Sequence, residues 1–229
     1  MRALELFKKE EQRLKKAGKE CARDELLLIF EHFLGLKRID LLLDKHELDF
    51  KQTRLIEEKA DLRLKNIPCQ YIIGETEFLG RRIRLDENVL IPRFDTERLV
   101  EEALRLARPN ENVLDLCTGS GIIAISLKCE RPDLNVCASD ISEKALKIAA
   151  RNAALNEAQI EFIHSDMFLG LSGRRFDLIC SNPPYISREE MQGLSKDVKN
   201  EPELALFGGE DGLDFYRLIA SEAKNHLNE

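Results

Sequence analysis

The stretch Val113-Leu-Asp-Leu-Cys-Thr-Gly-Ser-Gly-Ile-Ile-Ala124 limits what this chain can fold into more than any other: an apolar strand runs into a glycine-rich turn and then a helix. Gly119 and Gly121 let the backbone bend sharply and approach a ligand closely. Alone the pattern is weak, because a plain tight turn or a dinucleotide-binding fold would also carry it. Two carboxylates sharpen it. Asp140 follows Gly119 by 21 residues, at the end of the next apolar strand, where a carboxylate accepts both hydroxyls of a ribose. Asp115, four residues before Gly119, suits a ligand with an ammonium group and repels a pyrophosphate. S-Adenosylmethionine carries ammonium and sulfonium cations and no phosphate, so these residues favour it over a dinucleotide.

Elements alternate around this turn. From Thr96 onward the pattern predicts helices over 97–108, 121–129, 142–155 and 214–227, with Ser142 as a cap. Strands are expected over 112–116, 135–139, 159–164 and 176–181. Such alternation predicts a parallel, doubly wound α/β sheet, a Rossmann-like domain over 96–229. Residues 1–66 read instead as a small helical bundle, with Leu4, Phe7 and Leu14 on one side of its first helix. Leu26, Leu27, Phe30, Phe33 and Leu34 follow at helical spacing, closed by Gly35, and helices over 38–46 and 50–64 complete the bundle. Its charge-laced face serves solubility or docks a partner protein. Between the two, residues 67–95 read as a β-rich connector, including Tyr71-Ile-Ile-Gly, Asn88-Val-Leu-Ile-Pro-Arg and a hairpin over 77–85 turning at Gly80-Arg81.

Asn182-Pro-Pro-Tyr185 follows the strand 176–181 directly and carries the most chemistry. Proline after Asn182 holds that asparagine extended. Pro183 and Pro184 remove two N–H donors and leave carbonyls that no local turn satisfies. The Asn182 side-chain oxygen and the Pro183 carbonyl can then accept both hydrogens of one flat –NH2 group, aiming its remaining face at a methyl carbon. Tyr185 offers an aromatic wall. Transfer would be an in-line displacement accelerated by orientation and electrostatics, the proton leaving to solvent. Just past the third strand, Asp166 is placed to accept from an adenine amino group with Met167 as an apolar wall; the plainer reading of Asp166 is a turn cap.

With these motifs in order, the chain closely resembles the release factor glutamine N5-methyltransferases, the PrmC/HemK family. The resemblance rests on Gln70-Tyr-Ile-Ile-Gly, Asn88–Arg93, Asp95-Thr-Glu, the Asp115–Gly121 loop, Asp166, Asn182–Tyr185, and Glu201-Pro followed by Leu204-Ala-Leu. It spans nearly the whole chain, including the helical front end that DNA adenine methyltransferases with the same tetrapeptide lack. It implies that the front end helps dock a release factor and that Asn182, Pro183, Pro184 and Tyr185 hold the glutamine of that factor's Gly-Gly-Gln motif. By the same resemblance Cys117, Thr118, Gly119, Ser120, Gly121, Asp140, Met167 and Asn182 contact S-adenosylmethionine, and Asp166 joins them by its position after the third strand. Cys117 stands where the family often has glycine, Phe94 where it often has proline, and Met167 where an aromatic is common. Family members continue past the final helix into further strands, so a chain ending at Glu229 is expected to be a fragment with an open edge beside 176–181. Two alternatives stay open: adenine N6-methylation of nucleic acid, and a non-catalytic fragment.

Charge bears on that choice. Residues 1–66 carry 16 Lys+Arg against 14 Asp+Glu; subtracting these from 35 and 42 leaves 19 against 28 in the remainder, a balance of −9. An acidic catalytic half is a poor partner for a phosphate backbone. No stable nucleic-acid binding is expected, and a protein substrate is. The six cysteines and four histidines show no ligand spacing, so reduced thiols and no metal site are expected. No apolar stretch is long enough for a membrane span and the start lacks a secretion signal, which predicts a cytoplasmic protein without membrane association.

Overall fold

A computed structural model describes residues 1–228, which separate into two compact units, Met1–Gly74 and Glu75 onward. The first holds five helices: α1 (Ala3–Lys16), α2 (Ala22–Leu34), α3 (Arg38–Leu43), α4 (Phe50–Leu64) and α5 (Cys69–Ile73). Leu6, Leu14, Leu26, Ile29, Phe30 and Ile56 are fully enclosed at its centre. Gly35, left-handed at φ 68°, ends α2, while Asp49 and Gln52 cap the start of α4 through reciprocal bonds of 2.8 and 3.0 Å. Arg63 on α4 pairs with Glu25 on α2 at 2.9 Å, almost out of solvent.

Here the β-rich reading of 67–95 needs correction. Tyr71-Ile-Ile is helical, within α5, which starts after Pro68 and stops at the left-handed Gly74. Cys69 and Ile72 are buried in the helical core, so the boundary falls at Gly74. Burial of one helical face there outweighs the strand preference of two adjacent isoleucines. Residues 88–93 form no strand either. What remains of the connector is the hairpin β1 (Glu75–Phe78) and β2 (Arg81–Arg84), pairing Phe78 with Arg81 and belonging to the second unit. Its turn lies at Leu79-Gly80, one residue earlier than expected; both have positive φ, at 47° and 74°, which matches the twist of paired strands.

The rest of the second unit follows the alternation: α6 (Asp95–Leu106), β3 (Asn112–Leu116), α7 (Ile122–Glu130), β4 (Asn135–Asp140), α8 (Glu143–Leu155), β5 (Glu161–His164), β6 (Leu178–Ser181), then α9 (Arg188–Gly193) and α10 (Asp214–Glu222). The short helix α9 was not foreseen. Ser142 caps α8, accepting from the Ala145 N–H at 3.1 Å. The sheet is parallel throughout, in the order β5-β4-β3-β6. Side chains alternate along β3: Leu114 and Leu116 join Met167, Phe168 and Phe176 in a core against which Phe215 and Ile219 of α10 pack, whereas Asp115 turns the other way, to α7.

The expected open edge is partly covered. After α10 a 3-10 turn, Ala223–His226, returns the chain to the sheet. The Phe176 N–H donates to the His226 carbonyl and the Asn228 N–H to the Phe176 carbonyl, both at 2.8 Å, so Leu227 pairs in parallel with Phe176. Over Leu178–Ser181 itself, among the described residues, β6 pairs with β3 alone. No residue of α10 is fully buried. Among the described residues no helix is long and apolar enough to cross a membrane.

One buried side chain ties the hairpin to the glycine-rich turn. Asn152 of α8, fully enclosed, accepts from the Arg84 N–H (2.8 Å) and donates to the Arg84 and Ser120 carbonyls (3.0 Å each). Asn152→Ala strands three backbone groups, and urea unfolding should show a loss of about 2–4 kcal/mol.

Candidate functional site

The register of the sheet puts three strand ends side by side. Leu116 lies opposite Ser139 on one flank and Ser181 on the other, so the segments following β3, β4 and β6 leave the same edge together. Ligands of open α/β sheets bind outside these carboxyl ends. A cavity of about 360 Å³ opens there.

The turn after β3 is built on two carboxylates. Asp115 is fully buried, and one of its oxygens accepts from the Thr118 hydroxyl (2.6 Å) and the Ala124 N–H (3.0 Å). Its other oxygen is buried and has no hydrogen-bond partner among the described residues. Asp115 is not among the residues lining the cavity, so the structure gives it no surface there for the ammonium group its position in the sequence suggests. As an inward-facing strand residue it shapes the loop from behind. Asp140 sits at the cavity wall, one oxygen accepting from Gly119 N–H and the other from Ser142 N–H, both at 2.8 Å. Each oxygen keeps a lone pair for a further donor.

Of the residues expected at the site, Cys117, Thr118, Gly119, Ser120, Asp140, Asp166, Met167, Asn182 and Pro184 line the cavity. Gly121, Pro183 and Tyr185 do not. Gly121 caps α7 at φ 87°, and a Cβ there would lie 3.1 Å from the Cβ of Ala149, so its service is close packing against α8. Cys117 and Met167 both have positive φ, 64° and 46°, unusual for non-glycine residues, and their sulfurs lie 3.6 Å apart. Burial pushes the Cys117 thiol up to about 12, so it stays protonated. The Asp166 side chain is exposed and makes no hydrogen bond within the described chain, so it does not cap a turn; the Ser165 hydroxyl supports that turn, accepting from Gly170 N–H at 2.8 Å.

Asn182 donates through Nδ2 to the Thr96 hydroxyl at 3.3 Å, while its Oδ1 and the Pro183 carbonyl accept no hydrogen bond among the described residues. Tyr185 is half exposed. Its backbone is clamped from behind by the segment 206–212: Ile186 N–H donates to Leu206 O and Gly208 N–H to Ile186 O, both at 2.9 Å. A Cβ on Gly208 would lie 2.6 Å from the Tyr185 Cα, and one on Gly212, at φ 77°, would collide with the Tyr185 carbonyl oxygen.

Sequence reasoning gave no role to Glu201. Its carboxylate, buried, accepts from the Ile91 N–H at 3.1 Å and pairs with Arg93 at 2.6 Å, joining the segments on which Pro92, Pro202 and Leu204 line the cavity. A glutamate beside a proline carries no local sign of a partner 110 residues away. Of the charged residues at the wall, Glu87, Asp140 and Asp166 face one cation, Arg93, already engaged by Glu201. The wall is thus acidic, and it favours a cationic ligand over a polyphosphate.

A parallel sheet with a glycine turn and a loop of unpaired acceptors at its carboxyl edge is the frame here, and the Methyltransferase small domain family model matches residues 93–199, which places the chain among methyltransferases. The PrmC N-terminal domain model matches residues 5–74. A release factor glutamine methyltransferase of Thermodesulfovibrio yellowstonii is 41% identical over 202 residues, 86% of this chain and 72% of that one. The like-named protein of Streptococcus pneumoniae is 39% identical over 233 residues, 100% of this chain and 82% of its own, and that of Koribacter versatilis 44% identical over 209 residues, 89% and 74% of the two chains. The chain belongs to the release factor glutamine methyltransferase family.

Burial drives the Asp115 carboxyl up to about 7, against the pull of the Thr118 and Ala124 hydrogen bonds. The folded protein therefore holds this proton more tightly than the unfolded chain, and stability falls as pH rises from about 4 to about 7. Asp115→Asn keeps an acceptor for Thr118 and Ala124 without that titration. It should melt a few degrees above the parent at about pH 8, the gap narrowing towards about pH 5 in thermal melts.

Proposed function

We propose that this chain transfers a methyl group from S-adenosylmethionine to the side-chain amide nitrogen, N5, of the glutamine in the Gly-Gly-Gln motif of peptide chain release factors. The observation that carries the reading is the pair of unengaged acceptors, Asn182 Oδ1 and the Pro183 carbonyl, beside the acidic cavity at the sheet's carboxyl edge. The family's printed name supplies the substrate class.

The residues present fit the donor. Asp140 has lone pairs for the ribose hydroxyls, Asp166 is unpartnered and exposed for the adenine amino group, and Met167 lies beside it as an apolar wall. Thr118, Gly119 and Ser120 bring the turn into the cavity, and Cys117 contributes its wall beside Met167. When bound, S-adenosylmethionine supplies an electrophilic methyl group on its sulfonium. The protein's own part is orientation. A carboxamide nitrogen is a weak nucleophile because its lone pair is delocalised. Asn182 Oδ1 and the Pro183 carbonyl, by taking both of its hydrogens, fix the plane of the amide and leave one face toward the donor, a gain in orientation and electrostatics. Pro184 supports this turn and Tyr185 stands at its outer side, against the substrate backbone. As the N–C bond forms, the methyl carbon would part from the donor sulfur, which would keep the electron pair and become a neutral thioether, and the nitrogen would shed one proton to water. The same reading assigns the reaction to the cytoplasm, where release factors work, and the acidic wall supports a protein over a nucleic acid as the acceptor.

With labelled S-adenosylmethionine, the protein should label a release factor at the Gly-Gly-Gln glutamine, located by peptide mass spectrometry, and leave duplex DNA unlabelled; label on adenine would overturn the reading. Asn182→Ala should lower turnover by roughly two or more orders of magnitude while changing donor affinity much less. Asp140→Ala should weaken donor binding by about 1.5–3 kcal/mol in calorimetry, and an unchanged dissociation constant would remove Asp140 from the donor site.

A further inference from the structure

Asn182 can do its work in only one of two orientations. A side-chain amide has nearly the same shape either way round, so packing alone does not choose which end faces the cavity. With Oδ1 inward it accepts from a substrate –NH2. Turned over, it would point two N–H donors at a group that itself offers only donors. The inward orientation leaves Asn182 Nδ2 facing the protein, where an unpaired donor is costly. Thr96 meets that need. Its hydroxyl accepts from Nδ2 at 3.3 Å across 86 residues of sequence. Thr96 is 4% exposed, lies in the first turn of α6 and lines the cavity, and its own N–H is held by the Arg93 carbonyl at 3.1 Å.

We propose that Thr96 is a positioning residue, the acceptor that keeps the Asn182 amide oxygen turned toward the substrate. This rests on the reading of Asn182 given above. The Thr96 hydroxyl bonds Asn182 Nδ2, and a β-branched replacement of the same shape removes that acceptor without opening a hole. Thr96→Val should therefore lower turnover on a release factor by about ten- to a hundredfold, the scale of losing a group that orients a first contact. Donor affinity and melting temperature should stay near the parent's, and Thr96→Ser should recover most of the turnover. A purely structural role would not produce the next result: in an Asn182→Ala background, Thr96→Val should cost nothing more, since the group it orients is gone. Proton NMR of the Asn182 side-chain amide, identified by its loss in Asn182→Ala, gives a reading independent of activity; its exchange with water should quicken in Thr96→Val.

Undiminished turnover in Thr96→Val, an equal loss in the Asn182→Ala background, or unchanged amide exchange would each overturn the assignment. If the parent protein itself leaves the release factor unlabelled, the proposed function falls, and the amide exchange still decides whether Thr96 holds Asn182.

Discussion

Parallel registration of β3 against β4 and β6 is the constraint from which the site follows. With Leu116 opposite both Ser139 and Ser181, the turn after β3, the carboxylate ending β4 and the Asn-Pro-Pro-Tyr loop after β6 emerge at one edge. A slip of one residue in either pairing would reverse which face of the strand each side chain occupies. Asp115 would then leave α7, and the turn would lose the Thr118 and Ala124 contacts that shape it. The buried apolar residues Leu114 and Leu116, and the core they share with Phe176, hold the register in place.

Onto that frame the protein loads negative charge without matching it. Asp115 has an unpartnered buried oxygen, and Asp140 is pushed toward its neutral form by burial, although backbone N–H groups hold its charge in part. Among the described residues neither meets a lysine or arginine. Such an arrangement costs stability in the free protein, and a cation in the cavity would lessen the part of that cost that falls on Asp140. Among the described residues lining the cavity the one guanidinium, on Arg93, is taken up by Glu201, which leaves the Asp140 carboxylate uncompensated.

How much of this was legible in the sequence depended on how local each signal was. The glycine turn, Asp140 and Asn182 declare themselves within a few residues of a strand end, and the structure brings them to one cavity. Asp115 has the same local signature and a different orientation, because strand alternation set by α7 turns it inward, and nothing near it in sequence reveals that. The helix at Cys69–Ile73 was read as strand since isoleucines favour strands, yet the deciding contacts come from the distant core of α1, α2 and α4. Thr96 and Glu201 were visible only as members of short motifs. Their partners lie 86 and 110 residues away, and only the fold supplies the pairing.

The glycines behind Tyr185 divide that tetrapeptide into two parts. Gly208 and Gly212 press on the backbone of residue 185 and leave its ring alone, and the ring is half exposed. The main chain at residue 185 is therefore packed closely against 208–212 while the ring stays open to solvent. The ring at position 185 is an exchangeable fitting on a fixed mount: another flat side chain there would change the exposed surface and leave the packing of the glycines behind it undisturbed. Packing of the main chain and exposure of the ring are thus set by different contacts within one four-residue loop.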